Sequence, residues 1–125
     1  MKCAEGWLKQ GYMRVLAANE LADGAILPAV VDGWPIVLAR SEGRAFALLN
    51  RCSHAASAFA PDGRMRRGAL MCPAHGARFS VDGGTCIGAA YPALRTFPCR
   101  EKDGWIEVVL PDHAPSADEQ PVTRP

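Results

Sequence analysis

Three histidines are all that this chain of 125 residues contains, and aromatic residues supply only 7% of it. Charge of one dominant sign is missing too: the formal net charge is +1. A near-neutral balance does not create the long-range field that gathers a protein onto nucleic acid or an anionic membrane, so neither is expected as a partner. No apolar run approaches the roughly eighteen residues that a bilayer span requires. The opening residues, Met1 to Glu5, hold neither the apolar stretch of a secretory signal nor a twin arginine, which leaves the cytoplasm as the expected compartment. There is no G-x-G-x-x-G, so the chain is not expected to oxidise NADH itself. Helical periodicity and internal repeats are also lacking. A chain this long closes one modest core, and one domain is expected.

Two of the three histidines stand next to cysteines. Cys52-Ser53-His54 is followed, after seventeen residues, by Cys72-Pro73-Ala74-His75. Thiolate and imidazole are the donors that soft and borderline metals select. Three readings of the four residues compete. They are buried side chains that meet by chance, or the tetrahedral ligand set of a structural zinc, or the ligands of a two-iron cluster. Zinc sites commonly pair two Cys or two His in each half, whereas each half here carries one of each. Mixed halves suit two irons, if each loop gives its Cys to one and its His to the other.

The rest of the chain reads as short strands. Tyr12–Leu16 alternates. Ala25–Val31 and Pro35–Arg40 are hinged at Asp32-Gly33, a dipeptide suited to a tight hairpin. Ser41 to Gly43 turns into Ala45–Leu49. Asp62 to Gly68 is a polar excursion, Ala69–Met71 a short strand delivering Cys72, and Arg78–Val81 a strand ending at Asp82-Gly83-Gly84. Leu94–Arg100 and Trp105–Leu110 are expected to form a last hairpin around Asp103-Gly104. Trp7 and Leu8 are expected to cap the core. Pro111–Pro125 is polar and Pro-bearing and is expected to be a flexible tail in which His113 has no role. Regularly spaced short strands indicate an all-β sandwich or small barrel. Cys3, Cys86 and Cys99 are expected to be thiols in a reducing compartment.

With these residues in place, the chain resembles the Rieske [2Fe-2S] proteins, in which two His replace two Cys on one iron. The resemblance runs from about Tyr12 to Leu110. Cys52 to Phe59 resembles the first cluster loop, Cys72 to Phe79 the second, and Gly88 to Leu94 the Pro-bearing loop that covers the cluster. It implies an antiparallel β-sandwich or small barrel with a cluster-binding subdomain at about residues 51–94, within a single domain of residues 1–110. It implies Cys52 and Cys72 on one iron and His54 and His75 on the other, with the imidazole edges as the electron port and Gly76 freeing the backbone to bend towards the cluster. High-potential members carry a disulfide between the ligand loops and a Ser after the Gly that follows the second His. The matching positions here are Ser57, Ala74 and Ala77, so the potential is expected near the low end of the range, at about −150 mV.

That pattern resembles the Rieske-type ferredoxins of bacterial aromatic-ring oxygenase systems. It implies a soluble one-electron carrier, not itself an enzyme, that meets a flavoprotein reductase and a terminal oxygenase transiently. Alternatives are the small subunit of a nitrite-reductase-type complex, a structural zinc module, or an oxygenase's own Rieske domain. The last needs a mononuclear iron on two His and a carboxylate; only His113 is left over and no catalytic domain follows, which counts against it. From Arg40 to Arg100, nine Arg stand against Glu42, Asp62 and Asp82. Arg51, Arg64, Arg66, Arg67 and Arg78 are expected to ring the imidazole edges and attract acidic surfaces.

Overall fold

Four X-Gly pairs shape the chain. In the computed structural model, which describes residues 11–53, 56–74 and 76–121, Asp32-Gly33, Glu42-Gly43, Arg67-Gly68 and Asp103-Gly104 all have φ between 51° and 82°. Two consecutive positive φ angles make the turn whose twist matches that of antiparallel strands. Glycine takes the second place at little cost, and a residue at the first place tolerates the left-handed region.

The strands are β1 (Met13–Ala17), β2 (Ile26–Val31), β3 (Trp34–Ser41), β4 (Arg44–Leu49), β5 (Arg64–Arg66), β6 (Ala69–Met71), β7 (Arg78–Ser80), β8 (Cys86–Ile87), β9 (Thr96–Phe97), β10 (Cys99–Lys102) and β11 (Trp105–Val108). They form three antiparallel sheets, ordered β1-β11-β10, β2-β3-β4-β9 and β5-β6-β7-β8. The only helical segments among the described residues are single 3-10 turns at Ala18–Glu20 and Ala117–Glu119. None of the described helices is long and apolar enough to cross a membrane. The all-β sandwich expected from the sequence is therefore the fold.

The sheet containing β3 and β4 is buried on both faces, which explains its near-continuous apolar sequence. Trp34, Ile36 and Leu38, with Ala45, Ala47 and Leu49, face the first core, where Ile106, Val108 and Phe97 meet them. Val37, Ala39 and Leu48 face the other way, into a second core with Cys52, Phe59, Leu70, Cys72, Phe79 and Leu94. One sheet thus joins a structural layer to the layer that holds the cysteines.

Three expectations need correcting. The polar excursion from Asp62 to Gly68 contains β5, which pairs with β6 through the Arg67-Gly68 turn. Leu94–Arg100 is not one arm of a hairpin. Pro98 offers no N–H to a ladder, and the chain divides there: β9 pairs with β4, and β10 pairs with β11. Residues 111–121, expected to be flexible, are tied to the body. The His113 carbonyl accepts a hydrogen bond from Trp34 Nε1 at 2.9 Å, and the His113 ring lies edge-on to Trp34. Arg95 pairs with Glu119 at 2.8 Å while its guanidinium lies over the Trp34 and Phe97 rings. Trp7, Leu8, Cys3, His54 and His75 lie outside the described residues.

Candidate metal centre

Two loops leave the second core in the same way. After β4, the Cys52 N–H donates to the Ser57 carbonyl at 2.8 Å, and the Ala56 N–H donates back to the Cys52 carbonyl at 2.7 Å. After β6, the Cys72 N–H donates to the Ala77 carbonyl at 2.8 Å, and the Gly76 N–H donates to the Cys72 carbonyl at 2.9 Å. Each loop is therefore closed by the fourth and fifth residues beyond its Cys. Each also turns through a positive φ at that fourth residue, Ala56 (60°) and Gly76 (75°). Gly76 has the bend expected of it; Ala56 adopts the same conformation at a steric cost.

Cys52 and Cys72 head these loops at 0% and 1% exposure, and both are thiols, not disulfides. Beneath them Phe59 and Phe79 meet edge to face, centroids 5.7 Å apart, so the large apolar position expected at Phe59 is filled and fully buried. Among the described residues no three metal-ligating side chains gather; His54 and His75 are not among those residues.

Sequence reasoning missed Asn50. Its amide is buried at the end of β4, where Oδ1 accepts the N–H groups of Phe59 (2.7 Å) and Ala60 (3.1 Å) and Nδ2 donates to the Ala60 carbonyl (3.2 Å). It fastens the far end of the first loop to its start. The stretch expected to cover the site, Gly88 to Leu94, is held at its C-terminal end. Ser53 Oγ donates to the Pro92 carbonyl at 2.6 Å, and the Leu94 N–H donates to the Gly84 carbonyl. A methyl group on Gly84 would collide with the Leu94 carbonyl oxygen, so only glycine admits that approach.

The two other described cysteines stand apart in role. Cys86 lies on β8 beside the second core. Cys99 packs against the first core, and burial pushes its thiol up to about 11, against the opposing pull of Arg40 and Arg44. That environment does not favour the thiolate that metal binding or nucleophilic chemistry would require of Cys99. Arg51, expected near the imidazole edges, donates its Nε to the Gln120 carbonyl.

Two matching loops, each headed by a buried thiol and closed over a shared apolar layer, could hold a cofactor between them. The chain belongs to the Rieske [2Fe-2S] domain family, whose model matches residues 11–99. It is 32% identical over 95 residues to the ferredoxin component of the alkene monooxygenase system of Xanthobacter autotrophicus, covering 76% of this chain and 78% of that protein. It is 30% identical over 122 residues to the oxygenase component of chloroacetanilide N-alkylformylase from Rhizorhabdus wittichii, which takes in 90% of this chain but 34% of that longer protein. Its fold is similar to the ferredoxin of carbazole 1,9a-dioxygenase from Nocardioides aromaticivorans IC177, with a TM-score of 0.73 and 25% identity, covering 78% of this chain and 96% of that one. The cofactor is accordingly a Rieske-type [2Fe-2S] cluster, and the chain transfers electrons; it is not itself an enzyme. The donor set fits that cofactor: two thiols excluded from water, on loops closed by the same hydrogen bonds and carrying the small residues Ala56, Ser57 and Ala74.

Proposed function

We propose that Cys52, His54, Cys72 and His75 hold the cluster, and that the chain carries single electrons from a flavin-dependent reductase to a terminal oxygenase in the cytoplasm. We assign this to one domain of residues 1–110, with the cluster-binding part at about residues 51–94 and residues 111–125 as a C-terminal tail, of which 111–121 strap back onto the body. The observation that carries the ligand assignment is the pair of matched loops with buried Cys52 and Cys72 at their heads. Each loop has a His two or three residues beyond its Cys. When bound, the cluster supplies one reversible electron, drawn towards the iron with neutral ligands.

The chain's own residues do the rest. The buried positions of Cys52 and Cys72 keep water from the thiolates. Asn50 and the paired loop hydrogen bonds fix where those thiolates sit, so little rearrangement accompanies a change of charge. Ser53, between Cys52 and His54 in sequence, ties the first loop to the covering stretch through Pro92. His54 and His75 are the electron port in this reading. Support for the oxygenase partner comes from the ferredoxin components to which the chain is similar, one serving an alkene monooxygenase and one a carbazole dioxygenase; an oxygenase acting on an apolar, unsaturated compound fits both.

Iron and acid-labile sulfide analysis, with electron-spin resonance of the reduced protein, tests the assignment. Two irons and two sulfides per chain are expected for a [2Fe-2S] cluster, with loss of the cluster in Cys52→Ala and Cys72→Ala. His54→Cys and His75→Cys should lower the potential wherever a cluster is retained, because a charged thiolate replaces a neutral ligand. One zinc and no sulfide, or an unchanged potential in those His variants, would overturn it.

A further inference from the structure

The outer face of the β5-β6-β7-β8 sheet carries several arginines. Strand register places Arg64, Met71, Arg78 and Ile87 in one row across the four strands, and Arg66, Ala69 and Ser80 in the next row on the same face. The intervening residues Leu70 and Phe79 point the other way, into the second core. Alternation along short strands thus sends the apolar set inward and an arginine-rich set outward.

Arg66, Arg67, Ala69, Met71, Arg78 and Ile87 enclose a cleft of about 380 Å³ on that face. No carboxylate lines it. Among the described residues, Arg14, Arg40, Arg95 and Arg100 all have acidic partners, whereas no ion pair or hydrogen bond engages the side chains of Arg66, Arg67 or Arg78. Three guanidinium groups held together without a counter-charge repel one another, and the arrangement becomes favourable only when an anion arrives. Its floor is apolar, with Met71 half-buried and Ile87 39% exposed. Cations around an apolar floor suit a protein surface better than a free small anion, because guanidinium groups pair with carboxylates while the floor is covered by side chains.

The cleft also borders the metal centre. Met71 immediately precedes Cys72, and Arg78 follows Ala77, whose carbonyl closes the second loop. The Arg78 guanidinium lies against Gly88, where a side-chain carbon would meet it at 3.6 Å, at the start of the covering stretch. We propose that this cleft is the docking site for a carboxylate-bearing face of the redox partner protein, which seats that partner beside the second ligand loop. The inference rests on the carrier reading above and adds the chemistry of the partner's surface. Arg51 and Arg95 take no part, being committed to Gln120 and Glu119.

Stopped-flow reduction of two probe acceptors by the cluster-loaded, reduced protein tests this: an acidic cytochrome b5 and a basic cytochrome c. The cytochrome b5 rate should fall with added salt, because exposed charges are screened over about 8 Å at physiological ionic strength. Arg66→Glu with Arg67→Glu should slow it about tenfold at low salt and accelerate cytochrome c reduction, with potential and absorption unchanged. The control Arg44→Glu with Lys102→Glu, which carries the same net charge on other sheets, should leave both rates near wild type. Equal slowing by the control, or a cleft variant that behaves as wild type, would overturn the proposal. If the wild type reduced neither acceptor, the carrier reading would fall, and the cleft would then be decided without electron transfer. Hexaglutamate should shift the Ile87 methyl resonances of the oxidised wild type and not those of the cleft variant; no shift, or an equal shift from inorganic phosphate, would refute a protein docking site.

Discussion

Asn50 carries no charge and no reactive group, yet its amide makes three hydrogen bonds to the backbone of Phe59 and Ala60 in an interior that leaves it 5% exposed. Asn50→Ala strands two buried N–H groups and a carbonyl, each costing about 1–3 kcal/mol. A loss of about 3 kcal/mol in denaturant unfolding of the cluster-loaded protein is expected, and a loss below about 1 kcal/mol would mean that solvent replaces the amide. At Ala77 the direction is reversed. One hydroxyl donated to the reduced, more negative site by Ala77→Ser contributes about 1.5 kcal/mol, so voltammetry should show a rise of about 60 mV. A wild-type potential near the top of the Rieske range would contradict the reason for that expectation. Cys99 yields a pH test. Its thiol titrates at about 11 in the fold, against 9.0 for the free group, so between those values the unfolded chain binds fewer protons than the folded one. Stability should therefore fall as pH rises from about 9 to about 11, and the fall should be shallower in Cys99→Ala. Equal slopes in the two proteins would show that Cys99 is solvated.

Turn chemistry made several elements legible before any coordinates. Asp32-Gly33 and Asp103-Gly104 lie at hairpin turns as expected, and β2, β3, β4 and β6 fall within a residue or so of the runs read from the sequence. The two loops that follow Cys52 and Cys72 were equally legible, since each spans only a few residues. What pattern did not reveal was decided across distance. Arg67-Gly68 turns as tightly as the Asp-Gly pairs, but Arg is not a residue that announces a positive φ, so β5 was passed over. The division at Pro98 depends on which sheet each half joins. The strap at 111–121 depends on partners far along the chain, which no window detects, and Asn50 depends on the loop turning back to bring Phe59 and Ala60 to it. The strap has a measurable consequence. Ending the chain after Leu110 removes the acceptor of the Trp34 indole, a fully buried side chain, and the Glu119 partner of Arg95. A loss of about 1–3 kcal/mol is expected from the indole alone, together with altered Trp34 fluorescence, whereas a solvated tail would leave both unchanged.

For the molecule as a whole, the β2-β3-β4-β9 sheet divides two cores of unlike dependence. The first core is closed by β1, β10 and β11 and contains neither Cys52 nor Cys72. The second contains both, and its β5–β8 sheet is built of strands two or three residues long, too short to be stable without further anchorage. Its cohesion rests on Phe59, Leu70 and Phe79 and on whatever joins the two loops across the cysteine heads. Metal binding that brings distant ligands together contributes directly to folding, so stripping the cluster should not affect the two cores equally. Hydrogen exchange on protein stripped by chelator under reducing conditions should show protection lost at Leu70, Phe79 and the loop amides of Cys52 and Cys72. Protection should persist at Ile36, Leu38, Ile106 and Val108, as expected of separate cooperative units. The strap reports on the same division, because Trp34 belongs to the first core and should keep its fluorescence after stripping. Uniform loss of protection would mean that the shared sheet transmits the collapse and that the chain folds as one unit around its cluster. Uniform retention would mean that the apolar packing of Phe59 and Phe79 suffices to hold the loops in place before any iron arrives.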